Sequence, residues 1–236
     1  MQKLNTGYYK TFAAFSLMLM ISSCSNTKFL QEGQMLYTGA KITVKNDTLS
    51  KKEKSNLKDA LQEQLRPKPN SSFLGLRPRL YVYNITKEPK KQKGIGYWLK
   101  YKIGEKPVLL GDVDREFNKK IIVNYSENKG FFNAEASSDT IAKNKKAQVL
   151  YTVKPGARYL ISQVNFPVDS TVINSEIQSI KDKSFLKAGN PFDLDVIKAE
   201  RERIDDHLKN RGFYYFSPDN IIVQADSTVL KEDRKS

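Results

Sequence analysis

The chain has 236 residues, of which 39% are hydrophobic and 28% charged, and its 12 Tyr and 12 Phe are far more rings than disordered chains carry. That length suits one large or two small domains. A formal charge of +14 favours anionic partners, and a single Cys excludes an intrachain disulfide.

Lys3 and Lys10 precede an apolar run from Phe12 to Ile21. Roughly ten apolar residues span about 15 Å as helix, half of a ~30 Å bilayer core, so the run reads as a secretory signal and not as a membrane span. Ile21, Ser22, Ser23 and Cys24 follow: one aliphatic residue, two small ones that let a peptidase reach the backbone, and a thiol. This resembles the bacterial lipobox. It implies a diacylglyceryl group on the Cys24 sulfur and a further acyl chain, such as palmitate, on the new amino terminus. Several chains together make a firm anchor where one would be marginal. Cleavage before Cys24 removes Lys3 and Lys10 and leaves a charge of +12. No acidic residue lies in Ser25-Asn26-Thr27-Lys28. By resemblance to known sorting rules, that points to the periplasmic face of the outer membrane.

In the mature chain, Leu36 to Val44 reads as a strand ended by Asn46-Asp47. Ser50 and Glu53 have the spacing of a capping box, and Leu57, Leu61 and Leu65 share one helical face until Arg66-Pro67-Lys68-Pro69 stops the helix. Residues 66–107 read as a long insertion with partial order, with Leu80 to Tyr83 and Trp98 to Tyr101 as apolar islands. A second helix is expected behind an Asp112 cap, with Val113, Phe117, Ile121 and Tyr125 inward and Gly130 closing it. Strands over about 131–142 and 147–154 follow, the second with Val149, Tyr151 and Val153 alternating.

The cycle then restarts. A strand is expected from Tyr159 to Phe166, and a short helix from Val172 to Lys181 with Val172, Ile173, Ile177 and Ile180 inward. Asp193 caps a strong helix, with Ile197, Ile204 and Leu208 on one side and Glu200, Glu202, Asp205 and Lys209 on the other. Gly212 ends it, a strand near Ile221-Ile222-Val223 follows, and Lys231 to Ser236 is a polar tail.

Both long helices end alike, in Asn128-Lys129-Gly130-Phe131-Phe132 and Asn210-Arg211-Gly212-Phe213-Tyr214, 82 residues apart. Two such endings, each after strand–helix–helix, define a β-α-α-β-β repeat and an α+β fold. The Gly-Phe-Phe ending and the Val153-Lys154-Pro155-Gly156 junction resemble polypeptide-transport-associated (POTRA) domains. The lipobox, Lys28-Phe29-Leu30, Glu32-Gly33, Arg66-Pro67-Lys68-Pro69-Asn70 and the stretch from Asp193 to Asp205 resemble the TamL-type lipoproteins of the BamA/TamA outer-membrane assembly family in Bacteroidota. The resulting organisation is a signal peptide at 1–23, a lipidated linker at 24–35, a POTRA-like domain at 36–155 and a second, truncated one at 156–236. In that family the third strand lies mid-sheet and a C-terminal barrel follows. The chain is expected to stop before any barrel and to lack the third strand of its second copy.

What the resemblance implies is a role in protein export or outer-membrane protein assembly. Sheet edges near 131–142 and 213–225 would take unfolded outer-membrane clients, beside a TamB-like, periplasm-spanning partner. No enzyme activity, metal or cofactor is expected. His207 has no nucleophile or metal partner, and the pairs Asp112/Asp114 and Asp193/Asp195 are explained as helix caps. Gly94-Ile95-Gly96 lacks the third glycine of a nucleotide loop. The basic runs 90–93 and 143–146 read as solvated loops, with lipid headgroups and not nucleic acid as their nearest anions. Tyr214-Tyr215-Phe216 is expected to pack on the sheet. A glycan- or ligand-binding lipoprotein, or an enzyme, would need polar groups converging in a pocket, and the sequence shows none beyond caps.

Overall fold

The computed structural model of the protein describes residues 26–226. The signal run, the lipobox with Ile21, Ser22, Ser23 and Cys24, and the tail 231–236 lie outside the described residues. The chain divides into two compact units: Met1–Ile122 with Ala136–Val153, and Val123–Glu135 with Lys154–Ser236. No described helix is long and apolar enough to cross a membrane.

The first unit begins with β1 (Leu36–Val44), then α1 (Lys51–Gln64). The capping box at the start of α1 forms as expected. Ser50 Oγ accepts from the Glu53 amide at 3.3 Å, and Glu53 Oε2 accepts from the Ser50 amide at 2.9 Å. Leu57 and Leu61 are buried, as is Leu65 just past the helix end. The rest of the unit comprises α2 (Pro78–Ile85), α3 (Ile95–Trp98, running on as a π turn over Leu99–Ile103), the first part of α4 (Arg115–Asn128), β2 (Glu135–Lys143) and β3 (Lys146–Lys154). The sheet order is β1-β3-β2, with β1 and β3 parallel from Leu36 opposite Lys146 to Val44 opposite Val153. Because β3 is central, its face is fully apolar: Ala147, Val149, Tyr151 and Val153 are all buried.

Residues 66–107 are better ordered than the sequence suggests. Leu80 is buried with Leu30 and Leu36. Arg79 Nε donates to the Ile103 carbonyl at 3.0 Å, and the Glu105 amide donates to the Arg79 carbonyl at 3.1 Å. Buried Asn70 clamps the two ends, donating to the Lys106 carbonyl at 2.7 Å and accepting from the Val108 amide at 2.9 Å. These partners lie more than 30 residues apart, so local pattern cannot show them.

The inward face of α4 is turned by one residue from the expected one. Asn118, Ile122 and Ser126 are fully buried at i, i+4, i+8, whereas Phe117 is 54% exposed. Its cap is Asp114, whose Oδ1 accepts from the Phe117 amide at 2.9 Å; Asp112 instead accepts from the Leu109 amide at 2.8 Å in the preceding 3₁₀ turn. The strand expected from 131 begins at Glu135, because Phe131 to Ala134 form a turn in which the Ala134 amide donates to the Phe131 carbonyl at 3.2 Å.

The second unit holds α5 (Val172–Ser179) and α6 (Leu194–Asn210). Ile177, Ile180, Ile204 and Leu208 form its core, with Phe166, Ile173, Phe213, Phe216 and Ile221 against them. Val172, expected inward, is exposed. Glu200 and Asp205, expected on the solvent side, are buried. The strands expected at 159–166 and near 221–223 are not formed among the described residues. Leu160 makes a single bridge to Pro191, and 221–226 has no ladder at all, because a strand exists only where a neighbour accepts its backbone.

Candidate functional site

The two helix endings are the same at the level of hydrogen bonds. Phe131 donates to the Ser126 carbonyl at 2.9 Å and Gly130 to Glu127 at 2.9 Å. Phe213 donates to Leu208 at 3.0 Å and Gly212 to Lys209 at 3.1 Å, the Schellman pair in both cases. Gly130, at φ +87°, is also pressed against its surroundings, since a Cβ would lie 2.7 Å from the Phe192 carbonyl. Phe132 meets Tyr159 and Phe192 there, with ring centroids 5.1 and 5.0 Å apart. Lys129 Nζ lies 3.0 Å from Asp193 and 2.9 Å from Asp195. Burial alone would lower the Lys129 pKa, but the two carboxylates more than offset it and raise it. Asp193 also caps α6 through the Asp195 amide at 2.9 Å, so that carboxylate pair has structural partners. His207 Nε2 lies 3.1 Å from Glu176, which Arg211 also meets at 3.4 Å.

After each ending the chain turns into a segment with open backbone. In the first unit this is β2. The turn to β3 has two residues, Asn144 and Lys145, at φ +52° and +57°, the handedness that suits a tight hairpin. Such a turn makes Lys143 and Lys146 a hydrogen-bonded pair. By alternation, the backbone groups of Ala136, Ser138, Thr140 and Ala142 face away from β3. The Thr140 amide is taken by its neighbour's Asp139 Oδ1 at 2.7 Å. No described residue takes the outward amides of 136, 138 and 142. Glu135, Asp139 and Lys143 set charges along this edge, which discourages indiscriminate pairing. The opposite edge, on β1, is occupied over residues 35–40. Tyr37 donates to the Val108 carbonyl at 2.9 Å, Leu110 donates to Met35 at 2.9 Å, and Gln62 Nε2 donates to Ala40 at 3.1 Å. The edge expected near 131–142 thus narrows to β2, whose outward amides at 136, 138 and 142 are open among the described residues.

In the second unit, 160–167 and 221–226 line one cleft of about 860 Å³ together with α5 and α6. The expected packing of Tyr214 and Tyr215 is not seen. Both are exposed, Tyr215 completely, and only Phe216 joins the core. Among the described residues there is no group of three His, Cys, Asp or Glu placed to hold a metal ion.

No protein-family model matches the chain, and no curated protein matches it. Among solved structures, POTRA domains 3–5 of BamA from Haemophilus influenzae align with 16% identity over 78% of this chain and 89% of that one, at a TM-score of 0.25. So distant a superposition does not fix the fold, which is instead described by the chain's own sheet order and register.

Proposed function

We propose that this chain is a lipoprotein module of the outer membrane, acylated on Cys24 and facing the periplasm, that serves protein export or outer-membrane protein assembly. In this reading it is POTRA-like and TamL-type, it is not an enzyme, and it works beside a TamB-like partner. It holds unfolded outer-membrane clients by adding their extended segments to β2. The carrying observation is the free outward edge of β2 beside a β1 edge taken over its first half. Main-chain pairing asks little of the client's sequence, as a chaperone-like module requires.

Two substitutions test the two halves. Cys24→Ser should move the chain out of the outer-membrane fraction and abolish labelling with radioactive palmitate; unchanged partition sinks the lipoprotein half. Ser138→Pro removes one outward amide from the middle of β2 and leaves the ladder to β3 intact. It should weaken binding of a urea-unfolded outer-membrane barrel protein about tenfold, the loss expected for one or two backbone hydrogen bonds, with unchanged circular dichroism. Equal affinity would remove β2 as the docking edge.

A further inference from the structure

Residues 66–107 carry eleven Lys and Arg against two Glu, which makes +9 of the chain's +14. Both acids have partners of their own: Glu88 takes Lys100 at 3.3 Å, and Glu105 takes the Ser71 amide at 3.1 Å. Lys87, Lys90, Lys91, Lys93, Lys102 and Lys106 are all exposed, and none has an ion pair among the described residues. Apolar groups stand among these cations. The chain reverses at Phe73-Leu74-Gly75-Leu76, where the Phe73 amide donates to the Leu76 carbonyl at 2.8 Å and the Leu76 amide donates back at 3.0 Å. Leu74 and Gly75 sit at φ +49° and +78°, the left-handed pair that so tight a turn needs. Leu suits that backbone poorly, where Gly or Asn would be at ease. Its side chain is nevertheless 86% exposed, beside Phe73 at 71%. On α3 and its π turn, Ile95, Trp98 and Tyr101 recur every three residues and are exposed, whereas Lys100 turns inward to the Thr86 carbonyl at 2.9 Å. Glu105, two residues past the π turn, holds Ser71, so the apolar turn and the end of α3 adjoin.

We propose that the insertion 66–107 is a membrane-docking surface, which lays the Phe73-Leu74 turn and the exposed stripe of α3 into the headgroup region of an anionic phospholipid bilayer. Such a bilayer supplies both chemistries at once: phosphates for the unpaired lysines, and hydrocarbon for Phe73, Leu74 and Ile95, with Trp98 at the boundary that its ring favours. A polyanion without hydrocarbon would meet the lysines alone. The turn is suited to shallow burial, because the backbone groups of Phe73 and Leu76 already pair with each other and need no water. The N-terminal segment points to the same occupant. Asn26 Nδ2 donates to the Arg77 carbonyl at 3.4 Å, at the start of α2, and Leu30 is buried with Leu80 of that helix. An acylated Cys24 would be two residues from Asn26, at most about 7 Å along the chain, so the anchor would hold the insertion at the headgroups. This last argument rests on the lipoprotein reading above; the charge and the apolar turn do not.

Trp98 is the only Trp in the chain, so its fluorescence reads this surface alone. The test places the full chain on vesicles of phosphatidylethanolamine and phosphatidylglycerol with brominated acyl chains, and on equally brominated phosphatidylcholine vesicles as the neutral control. The expected result is blue-shifted Trp98 emission that bromine quenches on the anionic vesicles and hardly on the neutral ones, a difference that 1 M salt removes. Changing Lys90, Lys91 and Lys93 together to Gln should weaken docking about a hundredfold and bring quenching down to the neutral level. Phe73→Ser with Leu74→Asn should also lose the quenching, with unchanged circular dichroism, since both side chains are exposed and Asn tolerates the Leu74 backbone. Equal quenching on both vesicle types, quenching that survives either set of substitutions, or no quenching at all would overturn the proposal. So would a blue shift that grows with chain concentration in the absence of vesicles, which would assign the surface to a second copy. The lipoprotein reading fails separately, by unchanged partition of Cys24→Ser, and the response of Trp98 to vesicle charge then still decides the docking surface.

Discussion

Glu200→Ala should destabilise the second unit by about 3–5 kcal/mol, the range for leaving one member of a buried ion pair alone. Glu200 is 2% exposed on α6. Its carboxylate accepts from Arg203 Nη2 at 2.6 Å and Nε at 2.9 Å, and from the Phe185 amide at 2.9 Å. Arg203 is itself sheltered, and its Nη1 donates to the Ile180 carbonyl at 3.3 Å, at the edge of the core. Without the carboxylate, a guanidinium and a loop amide lose their acceptor in a place that water reaches poorly. Burial alone would raise the Glu200 pKa, but the Arg203 hydrogen bond, the Phe185 amide and Ser184 more than offset it and hold it below the ordinary carboxylate range. A depressed folded pKa means that this stabilisation is complete above the unfolded value of about 4.3 and is lost as pH falls through the folded value. Acid should therefore weaken the second unit below about pH 4, and Glu200→Gln should flatten that dependence. The measurement is hydrogen exchange along α6, with α1 as internal control. Exchange in α6 that matches the parent's in Glu200→Ala would refute the role.

Local chemistry was legible and long-range satisfaction was not. The Ser50/Glu53 box, the two glycine endings and the alternation of β3 are each decided within a few residues, and all three appear as the sequence implies. Glu200 reads as solvent-facing because its acceptor role depends on a loop 15 residues away. Segments 159–166 and 221–223 have the composition of strands, but composition cannot supply a ladder partner. The insertion reads as loosely ordered because Pro, Gly and Lys punctuate it, although the Asn70 side chain ties its ends by bonding the backbone of Lys106 and Val108. For the candidate site, the sequence placed the edge within a few residues of β2. It could not show that the start of β1 is taken by 108–110, a segment that reaches it only after the insertion. Cys24 lies outside the described residues, so its acylation stands as proposed above.

Asn118→Ala should cost the first unit about 1–3 kcal/mol, from the loss of two part-buried hydrogen bonds to the Arg66 backbone. Asn118 is fully buried on α4. Its Oδ1 accepts from the Arg66 amide at 3.0 Å and its Nδ2 donates to the Arg66 carbonyl at 2.6 Å. One side-chain amide thereby stands in for a neighbouring strand where α1 has ended and Pro67 forbids a further helical turn. Asn118→Leu should do no better, since it fills the volume but satisfies neither group. Asn118→Asp keeps the acceptor for the amide but sets an oxygen against the Arg66 carbonyl, so it should rescue little. The decisive control is one position away. Phe117 is large and apolar, and periodicity alone would place it inward; yet it is half exposed, so Phe117→Ser should cost less than about 1 kcal/mol. Urea melts of the three Asn118 variants and Phe117→Ser, with exchange read at 36–44 and 146–154, give the order directly. If Phe117→Ser were the more damaging change, α4 would be packed on the face that hydropathy picks, and the pinning of Arg66 would contribute nothing.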